Sequence, residues 1–189
     1  MAKFNEKALE GLIFLALLGG GWLYFSGRLD HLIETRQQSR LPAEEVTFIR
    51  IIQDAKHRWK DAPNDIQREP MPNARNMALC DVPTSVSEWT GHVGGIGTYP
   101  SDEAFLSVVL VSNVTLRTEG DDQNAGSKIQ RGTQLFNVVS NLAAGQSVTF
   151  SGRFIKGDKT CLLETSFTDN GSMTDPEFEF IFTNVRPNL

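Results

Sequence analysis

Hydrophobic and polar positions divide the chain into three stretches of different texture. The first is an unbroken apolar run, Gly11 to Phe25 (GLIFLALLGGGWLYF), without charge or proline. With Ala8 and Leu9 added and Glu10 turned outward, residues 8–27 just reach the about 20 residues of helix that a ~30 Å hydrocarbon layer requires. The pattern predicts a single transmembrane helix over 8–27 behind a short tail, 1–7, with Trp22 and Tyr24 at its distal interface. A cleaved signal peptide is the competing reading; against it, Lys3 and Lys7 are offset by Glu6 and Glu10 where a positive leader is needed. Ala16 and Gly20 stand at the spacing of small residues that lets two such helices pack closely, so self-association or docking on another membrane protein is an open reading. Lys3 and Lys7 before the run, against Arg28, Arg36 and Arg40 after it, leave the orientation undecided.

The second stretch, 28–84, predicts a helical stalk or connector. Arg28 to Arg40 is rich in helix formers, and Pro42 suits the first turn of a new helix, with Glu44 and Glu45 favourable against its dipole. Phe48, Ile52, Ala55, Trp59 and Ala62 recur at alternating spacings of four and three, which places them on one stripe. Two occupants of that stripe are open: the protein's own C-terminal part, or the seam of a partner helix. Pro63, Pro70 and Pro72 punctuate the next segment, 62–72, and residues 73–80 read as one more short helix.

From Ser85 onward the texture is β-rich. Residues 86–99, 103–117, 147–155, 160–168 and 177–185 have the β-branched and aromatic enrichment of half-buried strands. Leu135, Val138, Val139 and Leu142 are at helical spacing within 133–144, which stops at Gly145, and 121–127 is a polar loop.

Two strings within this stretch carry a resemblance. Trp89-x-Gly91-x-Val93 opens the first strand, and Leu142-x-x-Gly145-x-x-Val148-x-Phe150-x-Gly152-x-Phe154 spans a helix-to-strand turn. The second is similar to a turn common in OB-folds of the tRNA-anticodon-like superfamily. The run from Cys161-x-x-Glu164-x-Ser166 through Gly171-Ser172-Met173 to Pro176-Glu177-Phe178 also resembles bacterial membrane-anchored domains of this kind. The resemblance implies that 85–189 forms a five-stranded, mainly-β OB-like barrel with one helix between its third and fourth strands. It further implies a binding face on the second and third strands, here 103–117 with Phe105 and Arg117, beside the 121–127 loop. No catalytic residue is carried over with it. The expected fold class is therefore a transmembrane helix, a helical stalk and an OB-like barrel.

Charge then narrows the partners. The 189 residues carry 18 Lys+Arg and 23 Asp+Glu, a net charge of -5. Residues 1–85 are balanced and 86–189 carry the whole excess. Near the expected face, Glu103, Glu119, Asp121 and Asp122 outnumber Arg117, which disfavours nucleic acid, since phosphates are held by basic grooves. Catalytic and cofactor chemistry finds no constellation: His31, His57 and His92 are dispersed, the two cysteines lack zinc spacing, and neither HExxH, GxSxG nor a phosphate-cradling GxxxxGKT occurs. Gly94-Gly95-x-Gly97 lies in a strand with no helix after it, where barrel curvature accounts for it. Asp121, Asp122 and Asp158 read as solvated loop positions, and the sequons at Asn113 and Asn170 are short enough to arise by chance. Cys80 and Cys161 fit one long-range disulfide in an oxidising compartment or, equally, two buried thiols. The expectation is a non-enzymatic, cofactor-free module at a bacterial inner membrane, its barrel in the periplasm, presented to a membrane or periplasmic partner protein or to a second copy. The partner and binding-face candidates are Phe105, Arg117, Phe48, Ile52 and Trp59. The alternative is an OB domain that binds an oligosaccharide or nucleic acid.

Overall fold

A computed structural model describes residues 41–118, 126–157 and 160–188. The first helix, α1 (Ala43–Asp61), begins after Pro42, has Glu44 and Glu45 in its first turn and Arg58 and Lys60 in its last, and so opposes its own dipole at both ends. It stops at Ala62, whose extended backbone is what the following Pro63 demands. A single turn, α2 (Asp65–Arg68), is capped by Asn64, which accepts the Gln67 amide. Next comes α3 (Met71–Leu79), with Pro72 in its first turn.

The barrel strands are β1 (Ser85–Thr98), β2 (Ala104–Val109), β3 (Thr115–Arg117), β4 (Ser147–Phe154) and β5 (Glu177–Pro187). Helix α4 (Gln134–Val139) lies between β3 and β4, and α5 (Asp169–Thr174) between β4 and β5. The sheet closes in the order β1-β2-β3-β5-β4, with β3 and β5 parallel and every other pair antiparallel. A closed five-stranded barrel with a helix before its fourth strand is consistent with an OB-like fold. Bulges bend β1 between Val86 and Trp89 and between Val93 and Gly95, as a strand shared by both sides of a small barrel requires. At Gly152 a Cβ would fall 2.2 Å from the Ile181 carbonyl oxygen, so β4 and β5 approach more closely than a larger residue allows.

The expected fold class is corrected on two points. Among the described residues no helix is long and apolar enough to cross a membrane. The longest described helix, α1, has 19 residues and is amphipathic, bearing Arg50, Asp54 and Lys56 besides its end charges. The span expected over 8–27, with Ala16 and Gly20, and the helical piece 28–40 lie outside the described residues. Second, the barrel segment holds two helices, not one. The strand expected over 160–168 forms only an isolated bridge, Glu164 to Phe178, and leads into α5. The strand expected over 103–117 is broken by the 3-10 turn Val111–Asn113, where Asn113 takes a positive φ of 62°.

The stripe of α1 is buried within the protein itself. Phe48, fully buried, lies among Trp89, Phe154 and Phe178 at ring distances of 5.4, 5.3 and 5.5 Å. Ile49, Ile52 and Ala55 are buried beside it. Such side chains are each worth about 1.5–3 kcal/mol of transfer free energy, so α1 is part of the core. Phe150, Phe180 and Phe182 continue the aromatic cluster along the barrel.

Candidate functional site

The connection from β4 to β5 is tied to α3 and to β5 at several points. Cys161 within it is disulfide-bonded to Cys80 at the end of α3. Arg75 of α3, 1% exposed, reaches the same loop: it pairs with the Glu164 carboxylate, donates to the Ser172 carbonyl and to Asn76 Oδ1, and lies over the Phe178 ring. Backbone contacts finish the bracing. The Thr165 amide donates to the Glu177 carbonyl at 2.9 Å, and the Glu177 amide to Ser166 Oγ at 3.2 Å. Thr168 caps α5 by accepting the Gly171 amide at 3.0 Å.

Between this loop and the outer face of β3 and β5 runs an open groove of about 890 Å³. Arg117 of β3 enters it and forms a 3.0 Å ion pair with Glu177 of β5. Asp175 faces Lys56 of α1 at 3.6 Å, and Asn113 Nδ2 donates to it at 3.5 Å. Glu179 is buried at the groove wall. At the rim, between the braced Ser166 and Thr168, the Phe167 ring is fully exposed, at 103% of its reference area. A smaller cleft of about 540 Å³ beside Arg153 and Lys156 lies toward the ends of β1 and β4.

The residues singled out from sequence fall into different places. Arg117 is in the groove. Phe105 shares the outer face of β2 with Ser107, which is in register with Arg117, but its ring leans over Gly97 and packs edge-on against Tyr99 at 5.8 Å. Phe48 and Ile52 are buried in the core and offer no face to a partner. Trp59 is half-buried: its Nε1 donates to Asn170 Oδ1 at 3.3 Å, and the Arg68 guanidinium stacks 5.5 Å over its ring. Phe167, Glu177 and Asp175 were not reached by sequence reasoning as groove residues; an aromatic set between hydroxyl residues in Ser166-Phe167-Thr168 was the available signal.

The histidines and the acidic loop positions weighed from sequence do not form a cluster among the described residues. His57 and His92 are exposed on α1 and β1, and His31 lies outside the described residues, as do Asp121, Asp122 and Asp158. Among the described residues no three His, Cys, Asp or Glu side chains are placed to hold a metal ion. Among the described residues the most perturbed carboxyl is Glu45, 0% exposed on the buried face of the first turn of α1. Its pKa is pushed up to about 8 by burial, against the lowering effect of the Thr90 amide that donates to it.

No protein-family model, curated protein or solved structure matches the chain.

Proposed function

We propose that this protein is a non-enzymatic binding or accessory module of an oxidising compartment outside the cytoplasm, and that the groove beside the β4–β5 connection is its working surface. The observation that carries this reading is the bracing of that loop. A disulfide, a buried Arg75–Glu164 pair and a bridge to β5 converge on one connection, and an unpacked aromatic ring is held at its rim. A loop ordered in advance spends less free energy on ordering when a partner binds. The Cys80–Cys161 bond supports the compartment, since disulfides persist where thiols are not kept reduced. The strand order, the positive φ of Gly145 at 79° and the close approach at Gly152 support the kinship with tRNA-anticodon-like OB domains.

The test is photo-crosslinking in the living cell. A benzophenone amino acid placed at position 167 is expected to give discrete adducts, whereas the same group at the exposed Gln134 on α4 gives none. Equal labelling from both positions, or none from 167, would refute the assignment of the surface.

A further inference from the structure

The smaller cleft, of about 540 Å³, lies on the barrel wall where the start of β1, the end of β4 and the middle of β5 run side by side. Thr84, Ser85, Arg153, Ile155, Lys156 and Ile181 line it. Strand pairing fixes their positions. Arg153 is in register with Ser85 on one side and with Ile181 on the other, and the Phe154 amide donates to the Thr84 carbonyl at 2.8 Å. Residues directly opposite in an antiparallel pair hold their Cβ atoms about 5 Å apart, so Ser85, Arg153 and Ile181 form one row across the outer face. Ile155 is fastened in turn: its amide donates to the Glu179 carbonyl at 3.3 Å, and its carbonyl accepts the Leu163 amide at 2.8 Å. Lys156 therefore leaves from a strand end that is already held.

Charge sets this cleft apart. Lys56, Arg75 and Arg117 each face a carboxylate, whereas Arg153 and Lys156 are exposed and their side chains are neither ion-paired nor hydrogen-bonded to any described residue. The described carboxylates of the surrounding elements are placed elsewhere. Glu88 of β1 pairs with Arg186, Glu179 of β5 is buried at the wall of the neighbouring groove, and Asp81, ahead of β1, is exposed. Glu119, Asp121, Asp122 and Asp158 lie outside the described residues. What the cleft presents is a set of donors: a guanidinium fork, an ammonium, and the Thr84 and Ser85 hydroxyls, which donate to no described residue. A ligand matched to donors is made of acceptors, and two cations favour two negative charges. A phosphomonoester carries about two at neutral pH, on three terminal oxygens, where a carboxylate or a phosphodiester carries one. Ile155 and Ile181, both half-buried, offer an apolar surface to the carbon body of the ester. The ligand is compact, because a long polyanion laid over the barrel would meet the excess of acid in residues 86–189.

We infer that the cleft of Ser85, Arg153 and Lys156 is a second binding site, which takes the phosphomonoester group of a small soluble ligand or of a lipid headgroup. The two cations and the hydroxyls hold the phosphate, and the carbon body rests against Ile155 and Ile181. The cleft shares no described lining residue with the groove at Phe167, and the inference does not depend on that groove. Its volume of about 540 Å³ is within the range of small-ligand clefts.

The experiment titrates the full chain with phenyl phosphate, read by calorimetry and phosphorus NMR, with diphenyl phosphate, the singly charged diester, as control. Saturable binding of phenyl phosphate is expected, about tenfold tighter than that of the diester. Arg153→Gln and Lys156→Gln are each expected to weaken it about tenfold, the worth of one hydrogen bond to a charged group. Both side chains are exposed, so these variants keep the wild-type denaturation midpoint. Arg50→Gln removes an exposed cation of α1 that does not line the cleft, and leaves binding unchanged. Phosphatidylcholine vesicles with and without phosphatidic acid then separate the two sources. Sedimentation with the phosphatidic acid vesicles alone, lost when Arg153 and Lys156 are both replaced, assigns the site to a headgroup; no sedimentation beside binding of phenyl phosphate assigns it to a soluble ester. Absence of phenyl phosphate binding overturns the inference, as does equal binding of the diester. A loss in Arg50→Gln equal to that in Arg153→Gln also overturns it, since the ligand would then be responding to net charge and not to the cleft.

Discussion

Glu45 is a buried acid whose cost depends on pH. Its folded-state pKa of about 8 lies above the ordinary 4.5, so between those values the folded chain holds a proton that the unfolded chain has released. Stability from this residue is therefore fully present below about pH 4.5 and is lost as pH rises through about 8. A gap of about 3.5 units is worth on the order of 5 kcal/mol at full ionisation. The charged residues nearest along the two packed elements do not relieve it: Glu44 is exposed, and Glu88, two residues before Thr90, pairs with Arg186. Glu45→Gln keeps an oxygen to accept the Thr90 amide but cannot ionise. The variant is expected to be more stable than wild type at pH 8.5, by about 2 kcal/mol or more, and no more stable than wild type at pH 4.5. Urea midpoints across that range decide it; parallel profiles for the two proteins would show that Glu45 stays neutral or is hydrated.

At the scale of elements, the sequence is most legible where one physical rule acts alone. Pro42, the acidic first turn and Pro63 bracket α1 within a residue of its observed ends, and the four-and-three stripe identifies the face it buries. Trp59, on the last turn of that stripe, meets Arg68 of α2 and Asn170 of α5 instead of the aromatic core. The region 103–117 reads as one strand because its apolar residues are continuous. Only the positive φ of Asn113, a backbone property, splits it into β2 and β3. The β4–β5 connection escapes a local reading for a related reason: 160–168 has strand composition, but its conformation is dictated by long-range ties to α3. Those ties give a prediction of their own. The disulfide spans a sequence separation of 81, for which chain entropy in the unfolded state is worth on the order of 4 kcal/mol. The variant with both cysteines replaced by alanine is expected to lose about 2–4 kcal/mol overall and to show its largest acceleration of amide exchange over 162–168, larger than that of α4. Uniform acceleration across the barrel would mean that the bond stabilises the whole fold and not this loop in particular.

For the molecule as a whole, the closed barrel is legible in a few turn residues, since Gly145 and Gly152 sit where the chain must reverse or touch. The groove is not, because it is assembled from β3, the β4–β5 loop and α1, whose meeting is a consequence of closure that no local window contains. Global charge and local geometry here point the same way about ligands. The excess of acid over base is confined to residues 86–189, the segment that supplies the barrel strands and most of the groove. A polyphosphate approaching that side meets a repulsive long-range field, and within the groove it meets carboxylates that already hold the nearby cations. Binding by counterion release strengthens steeply as salt is lowered, because each phosphate neutralised adds to the slope. A fluorescein-labelled oligothymidine is accordingly expected to show no anisotropy change with the full chain at about 150 mM salt, and none at about 20 mM. Binding that appears at low salt and fades with a steep logarithmic slope would contradict this and would require a basic surface outside the groove. The cleft beside Arg153 and Lys156 is then the place to look, and replacing those two residues with glutamine would abolish the signal. Binding that persists at both salt concentrations and is lost in Phe167→Ala would instead point to base stacking on that ring, with the groove serving a single strand.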